Sequence, residues 1–385
     1  MQESYFNHRK HLFSIPQNTL YFCGHSLGPC SIPAKQALQN AQSEWEQHIV
    51  SAWHDADWLS LPTQLGKQIA LLIGAQPDEV MVCDSTSVNL YKALFMALSV
   101  QKTRRVILST TDNFPTDLYI ADQVASLKNI EVRKTHEADI IDAINEQVGV
   151  IMITQVNYRT GQKMDIEAIT KKAHHHGAVV VLDLSHSVGA MPIACSKLKI
   201  DFAVGCTYKY LNGGPGSPSF IYINQRHHHL NPALVGWMGH QDPFAFSNQY
   251  VPHPGIQAQK IGTPTILSLQ ALSGALSIFS DLDLMALHQK SHAMGNHLIE
   301  VFHILIPELK CISPTPFHSR GNHIGFLHKN AKAISEQCIR HHIVVDFRAP
   351  DLIRFGINPL YLDFDDFDRL TKMIQKIRKL YENID

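Results

Sequence analysis

Asp201-Phe202-Ala203-Val204-Gly205-Cys206-Thr207-Tyr208-Lys209-Tyr210-Leu211-Asn212-Gly213-Gly214-Pro215-Gly216 begins as an apolar run of strand length. It ends in a lysine between two tyrosines, followed by a glycine-rich turn. Isolated ammonium groups avoid burial, so a lysine at the exit of a buried strand calls for a reason. Surface solvation is one reason. A Schiff base with an aldehyde cofactor is another.

The preceding strand sharpens the choice. Ala178-Val179-Val180-Val181-Leu182-Asp183-Leu184 is almost purely apolar, the pattern of a strand buried on both faces, and it carries a carboxylate near its end. Such a carboxylate is paired or neutral. It either caps the turn at Ser185 or faces a cationic nitrogen on a ligand. One strand–loop–strand step separates Asp183 from Lys209, so both can reach one molecule.

Upstream, Glu79–Cys83 reads as a strand running into Asp84-Ser85-Thr86-Ser87 and then a strong helix over Val88–Leu98. Small hydroxyls at a helix start are ordinary N-caps. The same geometry makes an anion site suited to a phosphate. Strands and helices then alternate: Arg105–Leu108, a helix opened by Asn113-Phe114-Pro115-Thr116-Asp117, Ile130–Val132, Val148–Thr154, and a helix from Asp165 to about His176. This order predicts an α/β fold with a mostly parallel sheet between helices, and ligands at the carboxyl ends of the strands. Residues 231–262 read as a long loop, of a length that tends to be functional. Helices over Thr265–Phe279 and Leu284–Ile306 precede a smaller α+β unit with strands near Cys311, His323–Leu327, Ile343–Val345 and Leu352–Phe355. The expected organisation is an N-terminal segment, 1–45, packing with the small domain, a large domain, 46–280, and a small domain, 281–385.

The composition of the 385 residues is that of a globular chain, 45% hydrophobic and 17% charged. Lys plus Arg is 33 against 34 Asp plus Glu, for a net charge of −1, which offers no electrostatic case for nucleic acid or an anionic membrane. The polar start lacks the apolar core of a signal peptide, and no window approaches a membrane span of roughly 18 apolar residues. Seven cysteines without paired spacing read as reduced core or near-core thiols of a cytoplasmic protein. The histidine runs His174–His176, His227–His229 and His341–His342 lack the spacing of a zinc site, so no metal is expected. His227–His229 reads as a surface turn. Of Trp45, Trp53 and Trp58, at least two are expected in the core.

The ordered set of a hydroxyl-led helix, Asn113–Asp117, Asp183-Leu184-Ser185-His186, Thr207–Asn212, Val235-Gly236-Trp237 and Gly262-Thr263-Pro264 resembles the kynureninase family. These are pyridoxal 5'-phosphate enzymes of the aspartate aminotransferase fold (fold type I), class V. The resemblance extends from Leu20-Tyr21-Phe22 to Arg354–Tyr361. It implies hydrolysis of kynurenine, or its 3-hydroxy form, to an anthranilate and alanine, in tryptophan catabolism or NAD biosynthesis. It implies Lys209, Tyr208 and Asp183 as catalytic residues, with Lys209 carrying the cofactor as a Schiff base and Asp183 on the pyridinium nitrogen. His186 is implied beside Asp183, Phe114 stacked on the ring, and Asp117 near its polar edge. Thr86, Ser87, Tyr208, Trp237 and Thr263 are implied at the phosphate, some from the partner of a homodimer whose sites lie between subunits. Arg354 is implied at the substrate α-carboxylate, with His25 also on the substrate side. The family's early loop often reads Gly-Asn-Ser-Leu-Gly where this chain has Gly24-His25-Ser26-Leu27-Gly28. The alternatives on the same scaffold are an aminotransferase or a cysteine desulfurase-like lyase. A cofactor-binding protein without catalysis is the alternative from another class.

Overall fold

The computed structural model describes Phe6, residues 9–101 and residues 103–382; residues 1–5, 7 and 8 of the polar start lie outside it. The strands are β1 (Leu20–Tyr21), β2 (Val80–Val82), β3 (Val106–Thr110), β4 (Glu131–Thr135), β5 (Val148–Thr154), β6 (Val179–Asp183), β7 (Phe202–Gly205), β8 (Phe220–Ile223), β9 (Lys310–Cys311), β10 (His323–Leu327), β11 (Ile343–Val344), β12 (Asp346–Arg348) and β13 (Leu352–Gly356). Seven of them form one sheet in the order β2-β8-β7-β6-β5-β3-β4.

The pairs from β7 to β4 are parallel, whereas β8 is antiparallel to both β7 and β2. Two reversals restore the direction, so the carboxyl end of β2 lies on the same side of the sheet as those of β5, β6 and β7. The sheet separates two cores. Ile151, Ile153, Val180 and Leu182 face one, while Val150, Met152, Val179 and Val181 face the other. This period-2 alternation within almost purely apolar strands is what burial on both faces requires. The Thr86–Val100 and Pro115–Lys128 helices cover one face through Leu90, Leu94, Ala121 and Val124. The Leu61–Leu72, Ile166–His175 and Ile266–Leu276 helices cover the other.

Capping side chains set the helix starts. Ser85 Oγ accepts from Val88 N–H, and Asp165 Oδ1 accepts from Ala168 N–H. A four-stranded antiparallel sheet, β12-β13-β10-β9, follows the long Leu284–Leu305 helix. The β1 strand pairs in parallel with β11, Leu20 opposite Ile343, which brings the early loop back across the chain. That loop lies against the lysine loop: Gly28 N–H donates to Tyr208 O at 2.7 Å, and a Cβ on Gly28 would come within 2.4 Å of Lys209 O. Among the tryptophans, Trp58 is buried and Trp53 packs against the core, while Trp45 is exposed.

Candidate active site

β6 and β7 run parallel, with Asp183 opposite Val204, so both chains leave the sheet at the same edge. Asp183 is buried, and its Oδ1 accepts from Ser185 N–H at 2.8 Å and Ser185 Oγ–H at 2.6 Å. Both expected roles of this acid are therefore compatible: it caps its own turn through one oxygen and keeps Oδ2 for something else. Lys209 Nζ reaches His186 Nε2 at 3.3 Å and lies 5.9 Å from the centres of both the Phe114 and Tyr208 rings. Burial, then the Lys209 charge, pushes the His186 imidazole well below its ordinary pKa. A neutral His186 can accept at Nε2 from the ammonium and keep its proton on Nδ1.

At the end of β3, Asn113 Oδ1 accepts from Phe114 N–H at 2.7 Å, and its amide donates to Ser109 Oγ at 3.1 Å. These bonds fix the entry to the Pro115–Lys128 helix and leave Phe114 partly exposed, its edge against Tyr158 at 5.3 Å. Asp117, in the first turn of that helix, is buried and its Oδ2 has no hydrogen-bond partner. Burial, reinforced by the nearby Asp183, raises its pKa well above the carboxylate range. Asp183 is also raised by burial, with Lys209 and Ser185 acting against that shift. Two desolvated acids and one lysine with no ion pair among the described residues thus surround one point. Perturbed, incompletely satisfied groups of this kind mark functional sites. A ring with a cationic nitrogen and a hydroxyl would complete them, so the residues fit pyridoxal phosphate.

The phosphate end is a cavity of about 580 Å³ bordered by Asp84, Ser85, Thr86, Tyr208, Lys260 and Thr263 among others. Ser85 takes the Val88 N–H, which leaves the N–H groups of Thr86 and Ser87 as the open donors of the helix start. Thr86, Tyr208 and Thr263 therefore come together. Ser87 and Trp237 do not line this cavity. Trp237 stands instead in an exposed aromatic cluster, its ring 5.8 Å from Phe244 and 6.3 Å from Phe246. Tyr208 is half-buried, and the Cys206 sulfur beside it, together with burial, raises its phenol pKa.

Arg354 is buried on β13, directly opposite Asp346 on β12. One of its terminal nitrogens is bonded to Asp346 Oδ2, the other donates to Tyr158 O at 2.6 Å, and Nε is buried without a partner. Burial works against the Asp346 charge, but His25 and then Arg354 hold the carboxyl well below its usual range. His25 is fully buried. Its ring stacks on His323 with centres 5.3 Å apart, and its Nε2 lies 3.5 Å from Asp346 Oδ2. Burial lowers the His25 pKa to about 4.

Sequence reasoning did not single out Asp346, His323 or Lys92. The first carries a readable signal, an acid and an arginine eight positions apart across a proline turn, the spacing of a cross-strand pair. Two expectations are corrected. His227 is buried rather than in a surface turn, because Asp201, itself buried, draws it in at 2.8 Å and Phe202 stacks on it at 5.0 Å. Cys30 is exposed, not a near-core thiol, because it lies where the early loop crosses to the Ile32–His48 helix.

The aminotransferase class-V family profile matches residues 33–344. The kynureninase of Deinococcus radiodurans is 42% identical over 381 residues, covering 96% of this chain and 92% of that protein. The kynureninase of Pseudomonas fluorescens is 38% identical, covering 92% and 88%. Among solved structures, a cysteine desulfurase from Thermococcus onnurineus superposes with a TM-score of 0.84 over 97% of this chain and 98% of that one, at 17% identity. A C-DES mutant with glycine covalently linked to its PLP cofactor gives 0.82 over 95% and 98%, also at 17% identity. The solved structures share the fold, and the sequence relatives are similar along nearly all of it: the chain belongs to the kynureninase family of the class-V aminotransferases.

Proposed function

We propose that this chain hydrolyses L-kynurenine, 3-hydroxy-L-kynurenine or both, giving anthranilate or 3-hydroxyanthranilate and L-alanine, with pyridoxal 5'-phosphate as cofactor. The observation that carries this reading is the near-full-length similarity to kynureninases at 38–42% identity. When bound, the cofactor supplies an electron sink for negative charge developing on the amino acid.

The chain's own residues supply the rest. Lys209 would hold the cofactor and move the proton at the substrate Cα. Asp183 would pair through its open oxygen with the ring nitrogen and keep it protonated. Asp117 would serve the ring's polar edge, where its unpartnered Oδ2 needs a donor, and Phe114 would stack on the ring beside His186. Thr86, Ser87, Tyr208, Trp237 and Thr263 would hold the phosphate. Tyr208 would also relay a proton to the carbon released by C–C cleavage. Arg354 would bind the α-carboxylate, a planar fork meeting a planar anion. Asp346 bonds that fork across β12 and β13. His25 would act on the substrate side.

A homodimer with sites between subunits agrees with the exposed Trp237, Phe244 and Phe246, an aromatic patch of the kind that a second copy covers. Domains of 1–45, 46–280 and 281–385 remain the reading of the organisation. Among the described residues no helix is long and apolar enough to cross a membrane, and all seven cysteines are free, in keeping with a cytoplasmic enzyme of tryptophan catabolism or NAD biosynthesis. A desulfurase needs an exposed, low-pKa cysteine. Cys338 is buried with its thiol pushed up to about 12, and burial raises Cys311 as well.

The test is to supply L-kynurenine and 3-hydroxykynurenine without any 2-oxo acid. Fluorescent anthranilate or its hydroxy form should appear together with an equal amount of alanine. Glutamate formed from added 2-oxoglutarate at a comparable rate would instead make the chain an aminotransferase.

A further inference from the structure

The phosphate end contains an acid where an anion is meant to bind. Asp84 borders the same cavity as Ser85, Thr86 and Thr263. Its carboxylate would repel a phosphate dianion, and the repulsion would be felt strongly in a partly desolvated cavity. The Thr86–Val100 helix answers this with its one charged side chain, Lys92. Lys92 is fully buried, and its Nζ donates to Asp84 Oδ2 at 2.7 Å, to Gln259 O at 2.9 Å and to Cys83 Sγ at 3.5 Å. A buried ammonium is costly unless paired, so its three partners define its place.

Cys83 and Asp84 line the cavity, and Gln259 immediately precedes a stretch that does. Asp84 makes the turn from β2 into the helix in a left-handed conformation, φ 52°, with its carbonyl accepting from Ser219 N–H at 2.9 Å. Gln259 leads directly into Lys260–Thr265, which also line the cavity. We propose that Lys92 is a positioning residue for the cofactor phosphate: it neutralises Asp84 and ties the helix-start turn to the Gln259–Thr263 wall. This rests on the cofactor reading above.

The two roles separate experimentally. The full-length chain, freed of cofactor, is titrated with pyridoxal phosphate and with pyridoxal, and uptake is followed by visible absorbance. Lys92→Met should weaken pyridoxal phosphate roughly tenfold or more, and pyridoxal less than about twofold, because only the former carries the phosphate. Adding Asp84→Asn to Lys92→Met should restore most of the lost phosphate affinity. Equal losses for both ligands, or no recovery in the double variant, would overturn the electrostatic role. If Lys92→Met does not fold, Asp84→Asn alone decides. It should keep or increase the preference for the phosphorylated ligand, and a decreased preference overturns the proposal. A wild-type chain that takes up neither ligand fails the cofactor reading, and this role with it.

Discussion

Two buried aspartates stand at opposite ends of neighbouring strands, and their surroundings are opposite too. Asp201 precedes β7 at its amino end. Val180 N–H and His174 meet its Oδ2 at 2.9 and 2.8 Å, and Arg226 and His227 meet its Oδ1 at 2.6 and 2.8 Å. Burial pushes this acid up, but the two histidines and Arg226 outweigh burial and hold it well below its usual range. Asp183 ends β6 on the far side of the sheet, bonded through one oxygen only, with the unpartnered Asp117 nearby and both acids raised. The same residue type, equally buried, is saturated at one edge and left incomplete at the other. A saturated buried charge supports the fold. Incomplete ones hold free energy in reserve for a ligand.

The contrast can be broken by mutation. The largest effect is expected at the incomplete end: Lys209→Ala should abolish both turnover and the visible absorbance of bound cofactor, and retained turnover would refute its role. At the saturated end, Asp201→Asn should cost about 3 kcal/mol of stability, because it leaves His174, His227 and Arg226 facing no charge. Thermal or urea unfolding reads this, while activity per folded molecule should stay close to wild type. Asp117→Asn should have the opposite sign on stability. Removing a desolvated carboxyl should raise the melting temperature of the cofactor-free chain by an amount equivalent to about 1 kcal/mol, while weakening cofactor binding.

The remaining effect concerns pH. His25 has an ordinary pKa of 6.5 and a folded value of about 4, so the unfolded chain binds the extra proton between those values. Stability should therefore fall as pH drops from 6.5 towards 4. His25→Asn should flatten that part of the melting-temperature profile. An unchanged slope would mean that His25 does not titrate as its burial demands.

Much of this was legible in the sequence because the responsible patterns are local. Val148–Thr154 and Ala178–Leu184 announce doubly buried strands by composition alone. Ser85 and Asp165 announce helix starts by position. Lys209 and Asp183 are each out of place in an apolar run, and the strand–loop–strand spacing brings them together. What could not be read depends on chain crossings. Lys92 reads as one more position in an apolar helix: its ion pair with Asp84 is only eight positions away, but its bond to Gln259, 167 positions away, needs the fold. Arg354 is the exception: its partner Asp346 lies only eight positions away, at the spacing of a cross-strand pair. His227 reads as exposed because its run follows a strand, whereas Asp201, reached only through folding, buries it. The resemblance implies Trp237 at the phosphate, but among the described residues it does not line that cavity.

Anthranilate release from L-kynurenine by Asp183→Asn and Asp201→Asn, compared at saturating cofactor and at a temperature where both are folded, tests the account most directly. Asp183→Asn should lose roughly 10²-fold or more in rate, the scale of a positioned acid–base group, while Asp201→Asn stays within about twofold of wild type. Comparable losses in both variants, or a fully active Asp183→Asn, would contradict it.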